Sequence, residues 1–120
     1  MAAFNLYRTN GKFHRVINGD SFNRAIQKEV EAGRSLANCD LREFGKQEPS
    51  DCNLTNGTFT NANFRGVDLR QSNLRGATMT GADMKSAWIA GIQRNGGMFT
   101  TAQLDSCVAG FAGQTATHTG

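Results

Sequence analysis

The sequence predicts an all-β fold: a parallel coil with four sides to each turn, preceded by a β-hairpin and a capping α-helix. Three observations carry this. From Cys52 onward the chain divides into units of five. The third residue of the unit is large and apolar at Leu54, Phe59, Phe64, Leu69, Leu74, Met79, Met84, Ile89, Phe99 and Leu104. The residue two before it is small at Cys52, Gly57, Ala62, Ser72, Ala77, Ala82, Ala87, Gly97, Ala102 and Cys107.

A period of five fits neither a helix (about 3.6) nor a strand (about 2). It fits a coil that turns a corner every five residues, so that four sides make a turn of twenty. The large centre and the small residue then point inward, and successive turns pair as parallel strands about 4.8 Å apart. Stacking by twenty places Leu54, Leu74 and Arg94 on one side and Phe59, Met79 and Phe99 on the next. Phe64, Met84 and Leu104 form the third side, and Leu69, Ile89 and Ala109 the fourth. Like stands above like, as a solenoid core requires. Arg94 departs from the pattern, with bulky Ile92 two before it. Two readings are open there: a bulge in which Ile92 replaces the centre, or a charged probe at a distorted corner.

The first elements occupy residues 1–33. Asn10-Gly11 separates Asn5–Thr9 from Lys12–Ile17, a strong hairpin signal because both turn residues tolerate positive φ. In that register Leu6 faces Arg15, Arg8 faces Phe13, and Tyr7 faces His14. The hairpin is either a second capping layer or a partner-binding arm exposing Tyr7 and Phe13. A helix follows, with Asp20 or Ser21 as N-cap. Its apolar face is Phe22, Ile26 and Val30, supported by Ala25 and Ala32. Gly33 suits the position after the helix end. This helix covers the open upper end of the coil, where a terminal turn would otherwise expose apolar residues and strand edges.

The repeat region spans 34–111. It opens with RSLAN and CDLRE, centred on Leu36 and Leu41, and the next centre, Leu54, is three residues out of phase. Residues 44–51 between them are polar, with Gly45 and Pro49, and read as a loop leaving the coil. It is a tolerated insertion or a projecting contact loop. Residues 112–120 contain no large apolar side chain and read as a flexible tail.

Composition agrees with this organisation. The 120 residues suit one domain. Hydrophobic residues are 38%, below the roughly 45–50% of ordinary globular chains, because three positions in five face solvent. The sequence shows neither a membrane span nor a secretory leader. Three cysteines, an odd count without a CxxC spacing, argue against a disulfide framework or zinc site. Cys39, Cys52 and Cys107 sit at small inward positions and read as core fillers. A reduced, cytoplasmic setting is expected.

The units ANFRG, SNLRG, ADMKS and VDLRQ resemble those of the pentapeptide-repeat proteins. The resemblance covers 52–111 together with 34–43. It implies a right-handed quadrilateral parallel β-helix, a pentapeptide-repeat solenoid. The opening GDSFNRAIQKEVEAGRSLANCDL is similar to small members found in bacteriophages, which implies an inhibitor of a host DNA-handling or defence machine. Some members imitate duplex DNA, which demands a negatively charged rod. From residue 52 this chain has five Lys/Arg against three Asp, which argues against full-length mimicry and leaves open a smaller inhibitor that docks through shape and a basic band.

Chemistry is not expected. His14 and His118 have no HExxH or Cys/His spacing, and neither GxSxG nor a phosphate loop occurs. Asp68 and Asp83, just before their centres, read as backbone hydrogen-bonders rather than paired catalytic carboxylates. No cofactor and no metal are anticipated. The residue after each centre faces outward, which gives a basic band of Arg65, Arg70, Arg75 and Lys85. With Lys46 and Glu48 of the loop, these are the candidate partner-binding residues. The band reads as a solvated surface or as the footprint of an acidic protein; nucleic acid is weakly supported. Phe99, Leu104, Val108 and Phe111 cluster at a lower end that no capping helix follows; that end is expected to be closed by another copy, as a homodimer interface, or by a partner. A non-catalytic binding module, an inhibitor or modulator of another machine, is the expected function; a virion structural or decoration protein is the alternative.

Overall fold

The computed structural model describes residues 2–46, 51–95 and 98–107. Strands β1 (Ala2–Tyr7) and β2 (Phe13–Gly19) pair antiparallel. Leu6 faces Arg15 as expected, but Tyr7 faces Phe13 rather than His14. The turn explains the shift. Gly11 N donates to Arg8 O at 2.8 Å, and of Asn10 and Gly11 only the glycine has positive φ, at 85°. This is a three-residue loop with a bulge, not a two-residue one. Arg8 closes this loop, its N donating to Lys12 O at 2.8 Å, and also bridges Cys39 of the coil. Thr9 N donates to Asn38 O and Asp40 N to Tyr7 O, both at 2.8 Å.

Helix α1 (Phe22–Glu31) starts at Ser21, whose hydroxyl accepts from Arg24 N at 3.1 Å. Ala25, Ile26 and Val30 are buried as expected, whereas Ala32 is the exposed C-cap. The helix crosses β2 so closely that a Cβ on Gly19 would stand 2.5 Å from Ala25 N. Its underside meets the coil: Asn23 Oδ1 accepts from Gly45 N at 2.7 Å and Gln27 Oε1 from Asn53 N at 3.0 Å. Ile26 and Val30 join one core with Leu36 and Leu54.

The repeats form a β-helix-like coil. Parallel bridges link Asn53–Asn73, Thr58–Thr78, Asn63–Asp83, Asp68–Trp88 and Asn73–Gln93, each twenty residues apart. The centres from Leu54 to Met84 are at most 1% exposed, and the small residues two before them are buried. The three-residue slip is visible above them: Asp40 bridges Asn63, twenty-three residues on. Phe44 and Gly45 do not project as part of a loop. Phe44 is 1% exposed, and a Cβ on Gly45 would stand 2.5 Å from Asp68 O.

Each corner has the same backbone. Asn56, Asn61, Gly66, Gln71, Gly76, Gly81, Ser86 and Gly91 all have positive φ, between 58° and 76°. They fall two residues after successive centres. The left-handed conformation turns the chain from one side to the next, and glycine adopts it at least cost.

The register holds through Gln93, so Arg94 causes no slip before it. Ile92 packs against the core, and the Arg94 guanidinium lies 5.8 Å over the Phe99 ring. Beyond this point the repeat reading is corrected. Helix α2 (Thr101–Ser106) stands where another side of the coil, and an end without a capping helix, are expected. Thr100 and Gln103 make a capping box, and Gln103 Nε2 donates to Met79 O and Ala82 O at 2.9 and 3.0 Å. The helix thus satisfies the Ala82 carbonyl, which a further strand would otherwise cover, while Met79 O also accepts from Ala82 N within its own turn.

Candidate functional interface

Where the residue before a centre is Asn or Asp, it fixes the one after the centre. Asn53, Asn63, Asp68, Asn73 and Asp83 each accept through Oδ1 from the amide two residues on, at 3.0–3.2 Å. This local bond holds Thr55, Arg65, Arg70, Arg75 and Lys85 on the outer surface. It is the structural role expected of Asp68 and Asp83.

The four basic residues are held differently. Arg65 Nε donates across turns to Asp83 Oδ2 at 2.6 Å. Arg70 grips Asp68 with Nε at 3.0 Å and Nη2 at 2.8 Å, and its guanidinium lies 5.2 Å over the Trp88 ring. Arg75 and Lys85 are exposed and make no ion pair among the described residues. Burial of Asp83 opposes its ionisation. The Arg65 hydrogen bond, the Lys85 amide and both positive charges outweigh it and hold the carboxyl below its ordinary range. Arg65 stands above Lys85 and below Arg42 on one side, and Arg42 is closed on Asp40 at 2.8–2.9 Å.

Lys46 pairs with Glu43 at 3.3 Å and, with Arg65, lines a cleft of about 560 Å³ between hairpin and coil. Glu48, Val108 and Phe111 lie outside the described residues. Phe99 and Leu104 are 6% and 7% exposed. With α2 at this end, they are buried within the chain.

Sequence reasoning missed three features. Trp88 is 38% exposed beside the basic band. Glu29 lies on the apolar side of α1, its two oxygens taken by Arg15 at 2.8 Å and Arg34 at 2.9 Å. A charge three residues after Ile26 on a buried face is the available signal. The third is the T-x-x-Q capping box before α2.

Nucleophilic chemistry has little support here. Burial pushes the Cys107 thiol up to about 11 and raises that of Cys39. Among the described residues, no group of three His, Cys, Asp or Glu could hold a metal ion. No helix among them is long and apolar enough to cross a membrane.

Comparison with known families gives one match. Residues 50–85 fit the family model described as pentapeptide repeats, in eight copies. No curated protein and no solved structure matches the chain.

Proposed function

We propose that this chain, which belongs to the pentapeptide-repeat proteins, is a non-catalytic binding module: a right-handed quadrilateral β-helix that inhibits or modulates a DNA-handling or host-defence machine. Pentapeptide repeats are generally protein-interaction modules. The observation that carries the reading is the exposed Arg70–Trp88 pair at the middle of the basic band. Trp and Arg are the residues that most often dominate protein interfaces. Here rungs bridged at regular intervals hold them, so little order is lost on binding.

A protein surface with carboxylates suits the band better than a phosphate backbone. Asp68 and Asp83 already neutralise two of the four cations, whereas nucleic-acid affinity grows with the number of phosphates neutralised. Affinity capture from native lysate tests this, with the parent chain beside Trp88→Ala and an Arg65→Glu, Arg70→Glu, Arg75→Glu variant. A protein retained by the parent and lost by both variants supports the reading. Retention by both variants, or no protein retained by the parent, overturns it.

A further inference from the structure

The hairpin has two unlike faces. Leu6 and Ile17 point inward and are 1% exposed. Tyr7, Phe13 and Val16 point outward at 42%, 55% and 49%. They are three of the four large apolar side chains exposed among the described residues. Tyr7 and Phe13 are direct cross-strand partners, with ring centroids 6.1 Å apart edge to face. Large apolar groups gathered on one exposed face mark an interaction site.

The charge of the hairpin itself is one-sided. Residues 2–19 contain Arg8, Lys12 and Arg15 and no Asp or Glu. Arg15 is committed to Glu29. Arg8 and Lys12, at the turn beside Tyr7 and Phe13, are exposed and make no ion pair among the described residues. Tyr7 also forms one wall of the cleft lined by Phe22 and by the Arg42–Asp40 and Lys46–Glu43 pairs.

We propose that the outer face of the hairpin is a docking surface for a protein segment carrying large apolar side chains flanked by carboxylates. This rests on the interaction-module reading and names the partner's chemistry at a second surface. The apolar side chains cover Tyr7, Phe13 and Val16, and the carboxylates meet Arg8 and Lys12. A second copy of the chain does not suit this face, because it would set cation against cation. A single-stranded nucleic acid suits it less well, since stacking needs ring faces open in succession along a cationic track. Here the two rings meet edge to face and only two cations accompany them.

Selection from a displayed random peptide library on the full chain tests the proposal. The selected peptides are then measured against Tyr7→Ser/Phe13→Ser, Arg8→Glu/Lys12→Glu and Arg70→Glu/Arg75→Glu variants. Oligothymidylate is titrated in parallel. Unchanged thermal unfolding qualifies each variant, and Phe13→Ser alone serves if the double change disturbs the hairpin. Enriched peptides should combine Asp or Glu with Leu, Phe or Trp. Either hairpin variant should weaken them about tenfold or more, some 1.4 kcal/mol, and the Arg70/Arg75 variant should leave them unchanged. No enrichment, peptides without acidic residues, or peptides indifferent to the hairpin variants overturn the proposal. So does oligothymidylate binding more tightly than the peptides and depending on Tyr7 and Phe13. Peptides that respond only to the Arg70/Arg75 variant overturn the hairpin assignment while leaving the interaction-module reading standing.

Discussion

The Asn61 side chain fills the space beside Gly81 in which a Cβ of that residue would stand, one turn further along the coil. Asn56 does the same to Gly76, and Gln71 to Gly91. A long polar side chain on one turn is thus matched by a glycine on the next. Gly66 has the same backbone, with φ 68°, but nothing within 4 Å of its absent Cβ.

These two kinds of corner give a paired test. Gly66→Ala meets only the left-handed penalty, about 1–2 kcal/mol. Gly81→Ala meets that penalty and the Asn61 side chain, and should cost more. Urea unfolding of both variants checks this; equal losses contradict the matched corner.

Truncating a centre should be expensive. Leu74 is fully buried between turns, so Leu74→Ala should lose about 2–5 kcal/mol. A loss below about 1 kcal/mol would mean that Leu74 does not point inward.

The cross-turn ion pair sets a pH dependence. The carboxyls of Asp40, bound by Arg42, and of Asp83, bound by Arg65, are both held below the ordinary value of 3.8. The folded state therefore binds fewer protons than the unfolded one. Their contribution is full above the unfolded pKa and fades as pH falls through the lowered folded pKa. Asp83→Asn should be less stable than the parent at about pH 6, and the gap should shrink as the pH falls below 3.8 and through the lowered folded pKa. A gap that persists in acid contradicts the assignment.

Removing the carboxylate beneath the hairpin should loosen the cap. Glu29 accepts from both Arg15 and Arg34, so Glu29→Gln should cost about 1.5–3 kcal/mol. Thermal unfolding measures it, and an unchanged midpoint would show that the network is not stabilising.

The cysteines should be chemically silent in the folded chain. Cys39, Cys52 and Cys107 are buried, and burial raises the thiols of Cys39 and Cys107. A thiol-specific reagent at about pH 8 should label none of them until denaturant is added. Fast labelling of the native protein would place at least one sulfur at the surface.

Much of this was legible because the repeat is periodic. Leu54, Leu74 and their neighbours announce the core by spacing alone, and the slip before Leu54 foretells the twenty-three-residue step from Asp40 to Asn63. The corners were also written in the chain, as Gly66, Gly76, Gly81 and Gly91 at one phase, although Asn56, Gln71 and Ser86 disguise them. Phe44 was misplaced because it sits outside the regular phase and is buried by tertiary packing rather than by period. Residues 101–106 were misplaced because AQLDS satisfies the five-residue pattern and a helical capping box at once. The choice falls to the Ala82 carbonyl, which only the folded coil presents and which Gln103 satisfies. The Arg70–Trp88 pair depends on alignment across turns, which no local motif announces.

The central claim is a coil that returns to itself every twenty residues, filled by one bulky side chain per side. Nuclear Overhauser contacts between backbone protons test it most directly. The account predicts contacts between Asn53 and Asn73, Thr58 and Thr78, Asn63 and Asp83, and Asp68 and Trp88. Helical contacts running continuously from Leu69 to Leu74, without these four, would contradict it.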